Sequence, residues 1–476
     1  MAKLSWHHSI VIFLFIYVFQ ACSNEEKPPN IILVLVDDLG WSDVGFMGSQ
    51  YYETPNIDHL AKQGMIFTNA YAACAVCSPT RASIMCGKYP ARLGITDWIR
   101  PWYWRDTTVN YGDYIGDSNR KLLCPANPYW MELEELTIAE VLKNEGYATA
   151  HIGKWHLGDK EYFPDKQGFD FNIGGCDIGQ APDYFDPYVD RRMPDGIPTL
   201  TPRDSGEYLT DREADEAVQF IRAHSDKAFF LYLCHYAVHT PVTGKEDIIK
   251  NFKSKTPVNG QNNPVYASMI KSVDESMGKI VQNLHEMEIA DRTIIIFFSD
   301  NGGHNAYTSN APLRSGKGNP YEGGIREPMF VYWPDYVPGN STCNTPVSSI
   351  DFFPTLCRIV GIDIPDKLDI DGIDISPLIY NKGKIERDAL FWHFPHYRDY
   401  ESVTPYSIIR KGNMKLIRFW EGRNELYDLD KDLSETNNLA DTFPELSEEL
   451  NQDIDLWLKK TMARIPRPNP AFQKTD

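Results

Sequence analysis

The sequence predicts an α/β protein: a large mixed, mostly parallel sheet flanked by helices, followed by a smaller C-terminal α+β domain. Three observations carry that expectation. Asn30–Val36 is an unbroken apolar run rich in β-branched residues, and Thr293–Ser299 repeats the design. Such runs suit strands buried on both faces, as in a parallel sheet. Between them helical and strand patterns alternate, which is the pattern of an α/β domain. Beyond about residue 380 the pattern changes to short alternating runs, which suit a small antiparallel sheet.

Residues 1–21 read as a signal peptide. Lys3, His7 and His8 precede an apolar run over 10–19, shorter than the about 20 residues that span a bilayer. Phe19-Gln20-Ala21-Cys22 resembles a loose lipobox, with Cys22 as the lipidated residue and 22–29 as a tether. The acidic residues just after Cys22 resemble the surface-export signal of Bacteroidetes lipoproteins. The expectation is an exported lipoprotein of the bacterial outer membrane, anchored at Cys22. Plain cleavage near Ala21, giving a soluble periplasmic protein, is the other reading.

Residues 30–380 form the larger domain. The strand over 30–36 runs into Asp37-Asp38-Leu39-Gly40. A helix is expected over 137–146 with Gly146 as its stop, then a strand over 148–152, a helix over 211–224 and a strand over 228–234. The strand over 293–299 runs into Asp300-Asn301-Gly302-Gly303. In sheets of this kind, polar sites collect at the carboxyl ends of the strands. The core pattern finishes near Asp371-Gly372-Ile373-Asp374, and Asn381-Lys382-Gly383-Lys384 reads as a linker. Residues 385–476 then give strands over 390–394, 406–410, 414–419 and 426–427 and a closing helix over 444–461.

Composition narrows the partners. The 476 residues are 42% hydrophobic and 24% charged, with a net charge of −19. That charge excludes nucleic acid as a natural partner and repels anionic esters. Any anion site must be a local cluster of Lys, Arg and His. Nine cysteines are present. With Cys22 and Cys77 set apart, Cys74, Cys86, Cys124, Cys176, Cys234, Cys343 and Cys357 remain, an odd number, so one at least is unpaired. Export permits disulfides, but the sequence assigns no pairs.

The stretch Cys77-Ser78-Pro79-Thr80-Arg81, continuing to Gly87-Lys88, has the form C-x-P-x-R followed by five residues and G-[KR]. A buried structural cysteine, a redox C-x-x-C with Cys74, or a zinc site are competing readings. The redox reading wants a thioredoxin-like unit, and zinc wants a second C-x-x-C that this chain lacks. Asp37 and Asp38 at one strand end, with Asp300 and Asn301 at another, are hard oxygen donors that suit Ca²⁺ or Mg²⁺. Gly153-Lys154-Trp155-His156 follows another strand, and the i, i+2 spacing sets Lys154 and His156 on one side of an extended segment. His239-Thr240-Pro241 and Gly316-Lys317 add a further imidazole and ammonium. Together these supply a nucleophile, charge neutralisation and proton transfer for an anionic ester.

In combination, Val36-Asp37-Asp38, the 77–88 stretch, the 153–158 stretch, His239-Thr240-Pro241, Ser299-Asp300-Asn301-Gly302 and Gly316-Lys317 resemble the type I, formylglycine-dependent sulfatases of the alkaline phosphatase-like superfamily. The resemblance runs from about residue 30 into the C-terminal domain. It implies that a maturation enzyme converts Cys77 to formylglycine, whose hydrated aldehyde attacks sulfur. It implies one Ca²⁺ held by Asp37, Asp38, Asp300, Asn301 and modified Cys77, with Arg81 steadying the formylglycine. Lys154 and Lys317 would bind sulfate oxygens. His156 would be the base that expels sulfate, His239 with Lys317 would protonate the departing sugar oxygen, and Asp300 would take the proton of the attacking hydroxyl. Cys86, where many relatives carry Leu or Thr, is expected to matter for packing alone.

Substrate contacts are expected from the aromatic and cationic stretch 97–105, chiefly Trp98 and Arg100, and from His304 and Arg314. The string Trp392-His393-Phe394-Pro395-His396-Tyr397-Arg398 resembles bacterial polysaccharide sulfatases and adds His393, His396 and Arg398. The implied substrate is a sulfated carbohydrate: an algal galactan, ulvan, fucan or a glycosaminoglycan. A phosphonate or phosphate ester hydrolase of the same superfamily, or an inactive glycan-binding lipoprotein, are the alternatives.

Overall fold

The computed structural model describes residues 27–201, 203, 206–399 and 402–473. The signal peptide and Cys22 lie outside the described residues. Asn30–Val36 forms the centre of a nine-stranded sheet, and all seven of its residues are buried. Its side chains alternate: Ile32, Val34 and Val36 enter one core, Ile31, Leu33 and Leu35 the other. That alternation is why the run is apolar throughout. Helices Pro55–Gln63, Leu209–Ala223 and Pro264–Glu286 cover the first face, and Cys77–Cys86, Ile138–Asn144 and Phe352–Ile359 cover the second.

Strand order is Ser341–Cys343, Met65–Tyr71, Arg326–Tyr332, Thr293–Ser299, Asn30–Val36, Phe229–His235, Ala148–Gly153, Phe171–Ile173, with Val347–Ser348 also paired to Met65–Tyr71. Arg326–Tyr332 runs antiparallel to both of its neighbours, while the other pairings are parallel. The register levels the strand ends. Val36 stands beside His235 on one side and Ser299 on the other, and Gly153 stands beside Cys234. Four strands therefore release their chains at one edge. Asp37-Asp38, Lys154 to His156, His239 and Asp300-Asn301 all follow from that register.

Leu390–Phe394, Tyr406–Lys411, Met414–Phe419 and Arg423–Asp428 form a four-stranded antiparallel meander. Ile409, Leu416 and Leu426 pack on Leu450, Ile454 and Trp457 of helix Pro444–Lys460. Ile408 and Ile417, on the opposite face, pack against Tyr71, Val76 and Ile325. The small sheet thus sits directly over the segment that leads to Cys77. A third sheet joins Arg467–Pro468 to Leu122–Pro125 and Tyr114–Ile115, so the C-terminal tail returns to the larger domain. Among the described residues no helix is long and apolar enough to cross a membrane, and the eight described cysteines carry no disulfide.

Candidate active site

Cys77 is the first residue of a ten-residue helix, every residue of which is buried. The glycine of the G-[KR] pair has a local cause. Gly87 caps this helix at φ 66°, donating its N–H to Ser83 O, and a Cβ there would meet Phe353 Cβ at 2.9 Å. Glycine alone combines that left-handed cap with that close approach. Ser78 Oγ accepts from Ile99 N at 2.9 Å, and Ile99 O accepts from His156 Nε2 at 2.7 Å. The second residue of the motif therefore fixes the strap that orients His156.

The floor of the site is an array of matched charges. Lys154 Nζ lies 2.5 Å from Asp37 Oδ2. Lys317 Nζ donates to both oxygens of Asp38, at 2.6 and 2.8 Å, and stands 3.6 Å from Cys77 Sγ. Arg81 Nε donates to Asp300 Oδ2 at 2.8 Å and its Nη1 to Lys154 O at 2.7 Å. Asn301 Nδ2 donates to Asp38 Oδ1 at 2.8 Å, and His239 Nε2 lies 3.5 Å from Asp38 Oδ2. Three carboxylates face three permanent cations, so a site buried in a −19 chain is locally balanced.

These contacts set protonation. Burial alone would raise the Cys77 thiol, but Lys154 and Lys317 bring it down to about 6. Burial and Asp300 push Asp37 well above the usual carboxylate range. Asp38 is held well below that range, because His239 and Lys317 outweigh its burial. Asp300 is lowered by Arg81 and Lys154 against burial. His239 is raised, Asp38 overcoming its burial. His156 is driven far down by burial and by the nearby Lys154 and Arg81. With Nε2 donating to Ile99 O, its buried Nδ1 has no partner and is left as a neutral base.

The 153–158 stretch corrects one expectation. It is not extended through His156, whose φ is 62°. The chain reverses there, with His156 N bonded to Cys176 O at 2.9 Å. A non-glycine residue at positive φ is uncommon and costs energy. Here the turn sends Lys154 into the floor beneath the cleft while the imidazole joins its wall.

A divalent cation fits this donor set. Asp37 Oδ1 and Asn301 Oδ1 are buried with no hydrogen-bond partner, which is costly unless a positive group meets them. Ligand atoms of Asp37, Asp38, Cys77 and His239 lie within 4.8 Å of one another. The sequence singled out Asp300 and Asn301 as donors but did not place His239 in this group.

Above the floor opens a pocket of about 210 Å³, lined among others by Cys77, His156, His239 and Lys317. Trp98, Tyr103 and Trp104 form one rim and Arg398 another. Arg100 lies 5.2 Å from the Trp98 ring centre and does not itself line the pocket. Four residues expected at substrate lie elsewhere. His393 is buried, bonded to Ser407 Oγ at 2.8 Å and to Arg464 O. His396 is buried and bonded to Thr96 Oγ1 at 2.8 Å, which secures the 96–105 strap. Arg314 stacks on Tyr321 at 3.6 Å and bonds Tyr427 and the Glu435 carbonyl. His304 is half-buried against Tyr307, outside the pocket lining. Gly179 and Gln180 do line the pocket, and no local pattern in the sequence announces them.

A nucleophile position at a helix N-terminus, ringed by cations at the carboxyl edge of a mostly parallel sheet, defines an alkaline phosphatase-like hydrolase of anionic esters. Comparison with known proteins specifies the ester. A family model described as Sulfatase matches residues 29–362, and one described as N-sulphoglucosamine sulphohydrolase, C-terminal, matches 316–463. A sulfatase of Formosa agariphila is 30% identical, over 93% of this chain and 91% of its own length. Human arylsulfatase A is 29% identical, over 90% of this chain and 87% of its own. The crystal structure of Ps i-CgsB in complex with k-i-k-neocarrahexaose superposes with a TM-score of 0.76 at 30% identity, covering 91% of this chain and 93% of that one. The chain belongs to the sulfatase family and is a sulfuric ester hydrolase.

Proposed function

We propose that this sulfatase removes sulfate from a sulfated glycan, with Ca²⁺ as its metal and Cys77 matured to formylglycine. The observation that carries the glycan reading is the rim. Trp98, Tyr103 and Trp104 share the pocket with Lys317 and His239, and Trp104 is 49% exposed. Sugar rings present apolar faces that stack on aromatic side chains, while their sulfates seek the cations. The similarity to Ps i-CgsB, solved in complex with k-i-k-neocarrahexaose, supports the same class.

Asp37, Asp38, Asp300 and Asn301 would hold the ion, with residue 77 and His239 beside it. The ion supplies positive charge for the sulfate oxygens and formylglycine supplies the hydroxyl nucleophile that no standard side chain offers. This chain's own groups do the rest. Lys317, between Asp38 and residue 77, binds the sulfate, and Lys154 pairs with Asp37 from below, opposing without overcoming the burial that raises that carboxyl. Arg81 holds Asp300 beneath residue 77, ready to take a proton from it. His239 stays protonated beside Asp38 and donates from Nε2 to the departing sugar oxygen. His156, neutral and tethered through Nε2, accepts a proton at Nδ1 when sulfate leaves. The N-terminal segment supports export with a lipid anchor at Cys22, and maturation requires a formylglycine-generating enzyme.

Trp104→Ala tests the glycan reading. It should lower kcat/KM on a sulfated oligosaccharide about tenfold, the loss of one stacking contact, and leave a small aryl sulfate unchanged. Equal losses on both substrates would contradict a sugar-stacking rim.

A further inference from the structure

The segment that carries Lys317 is held at both ends by one residue of the C-terminal domain. Arg314 begins the segment, and its Nη1 donates to Glu435 O at 2.8 Å. Glu322 ends it, and its backbone N–H donates to Glu435 Oε2 at 2.7 Å. Gly323 N closes the segment back on Arg314 O at 3.0 Å. Glu435 is fully buried and sits at φ 52°, a conformation that a non-glycine residue keeps only when its surroundings enforce it. Lys415, also fully buried, lies 2.8 Å from Glu435 Oε1 and 3.0 Å from Glu322 Oε1. Its single charge bridges two carboxyl groups that would otherwise repel. Tyr71 OH and Arg326 complete the shell around Glu322.

Between these two ends the segment meets the site. Lys317 N bonds Gly303 O at 3.1 Å, next to the Asp300-Asn301 turn. Gly318 N bonds Ala75 O at 2.8 Å, two residues before Cys77. Gly302 N bonds Gly324 O at 3.2 Å, and a Cβ on Gly302 would collide with Gly323 O. The segment is bonded to the catalytic turns on one side, and on the other Glu435 is the residue that reaches both of its ends, beside Tyr427 on Arg314 and Glu425 on Tyr321.

We infer that Glu435 is a positioning residue for the reaction: it clamps both ends of the 314–322 segment, with Lys415 as counter-ion and Arg314 as the outer strut, so that Lys317 meets the sulfate ester in one geometry. This rests on the reading that Lys317 contacts the ester. It gives the C-terminal domain a part in catalysis although Glu435, Lys415 and Arg314 do not line the pocket. It also accounts for Arg314, whose hydrogen bonds go to the Glu435 carbonyl and Tyr427 OH and whose guanidinium stacks on Tyr321, none of them in the pocket.

The test is a set of double-mutant cycles on matured enzyme, read as sulfate release from one substrate, with circular dichroism and melting temperature for each variant. Glu435→Ala and Arg314→Ala should each lower kcat/KM about tenfold or more, because displacing a catalytic group by about 1 Å costs up to about a hundredfold. Glu435→Gln, which keeps an acceptor for Glu322 N–H, should recover most of the loss. In a Lys317→Ala background none of the three should lower the rate further, because the group they position is gone. Arg314 is 38% exposed, so its variant keeps the test open if Glu435→Ala does not fold. Losses that persist undiminished in the Lys317→Ala background, or no loss in either single variant, would overturn the clamp. A Lys317→Ala enzyme with normal turnover would instead overturn the reading of Lys317, and the clamp's catalytic role with it.

Discussion

Each cation of the cleft floor is matched to a carboxylate, and that matching decides what each residue can do. Lys154 and Lys317 sit on Asp37 and Asp38, and removing one partner of such a buried pair leaves an uncompensated charge. The imidazoles show the same control by surroundings. His239 is raised by Asp38 against its burial, while burial and the nearby Lys154 and Arg81 drive His156 down. His393 belongs to neither group. Burial drives it down to about 3, although it bonds Arg464 O. Its folded pKa is depressed, so the unfolded chain takes up the proton first. The stability it contributes is present above the unfolded value of about 6.5 and is lost as pH falls towards 3. At pH 5 that loss is about 2 kcal/mol. A His393→Gln variant should therefore show a flatter fall in stability between pH 7 and pH 5 than the parent, measured by denaturant titration. Identical slopes would contradict the assignment. The Trp-His-x-Pro-His-Tyr string was visible in the sequence. That its two histidines turn inward was not, because their partners Ser407, Arg464 and Thr96 come from separate segments.

At the scale of elements, the strands most legible in the sequence are those whose burial is most uniform. Asn30–Val36 and Thr293–Ser299 are buried throughout and show the expected bounds. Leu390–Phe394 and Met414–Phe419 also match, because their alternation reports two different faces. Met65–Tyr71 and Arg326–Tyr332 carry no clear strand pattern in the sequence. The first is interrupted by Thr68 and Asn69, and the second opens on Arg326, Glu327 and Pro328, a polar start that masks a fully buried strand. The pairing of Pro468 with Leu122 joins the C-terminal tail to a distant segment of the larger domain, which no local pattern encodes. Helix Ile138–Asn144 is shorter than the 137–146 expected, with Thr137 as its cap. Thr137 Oγ1 accepts from Glu140 N while Glu140 reaches back to Thr137 N. Thr137→Ala should cost about 1 kcal/mol in denaturant titration and leave turnover unchanged. No change in stability would contradict the role of the cap.

For the whole molecule, register and domain docking together make the cleft. The site residues were legible because each follows an apolar strand or falls in a compact motif. Their convergence depends on four strand ends coming level, which is a property of the sheet. The C-terminal domain contributes Arg398 to the rim, secures the strap above Cys77 through His396 and anchors the Lys317 segment through Glu435. The rest of the rim is harder to read, because Gly179 and Gln180 arrive on a long irregular stretch with no periodicity.

The central claim is that residue 77, once matured, is the nucleophile of a sulfate ester hydrolase. Sulfate release from a sulfated sugar in the presence of Ca²⁺ tests it most directly. The enzyme should carry a Cys77 modification verified by mass and be assayed beside Cys77→Ala. The account predicts release by the matured enzyme and none above background by the variant, with unchanged circular dichroism. Equal release by both, or release of phosphate from the matching phosphate ester in preference to sulfate, would contradict it.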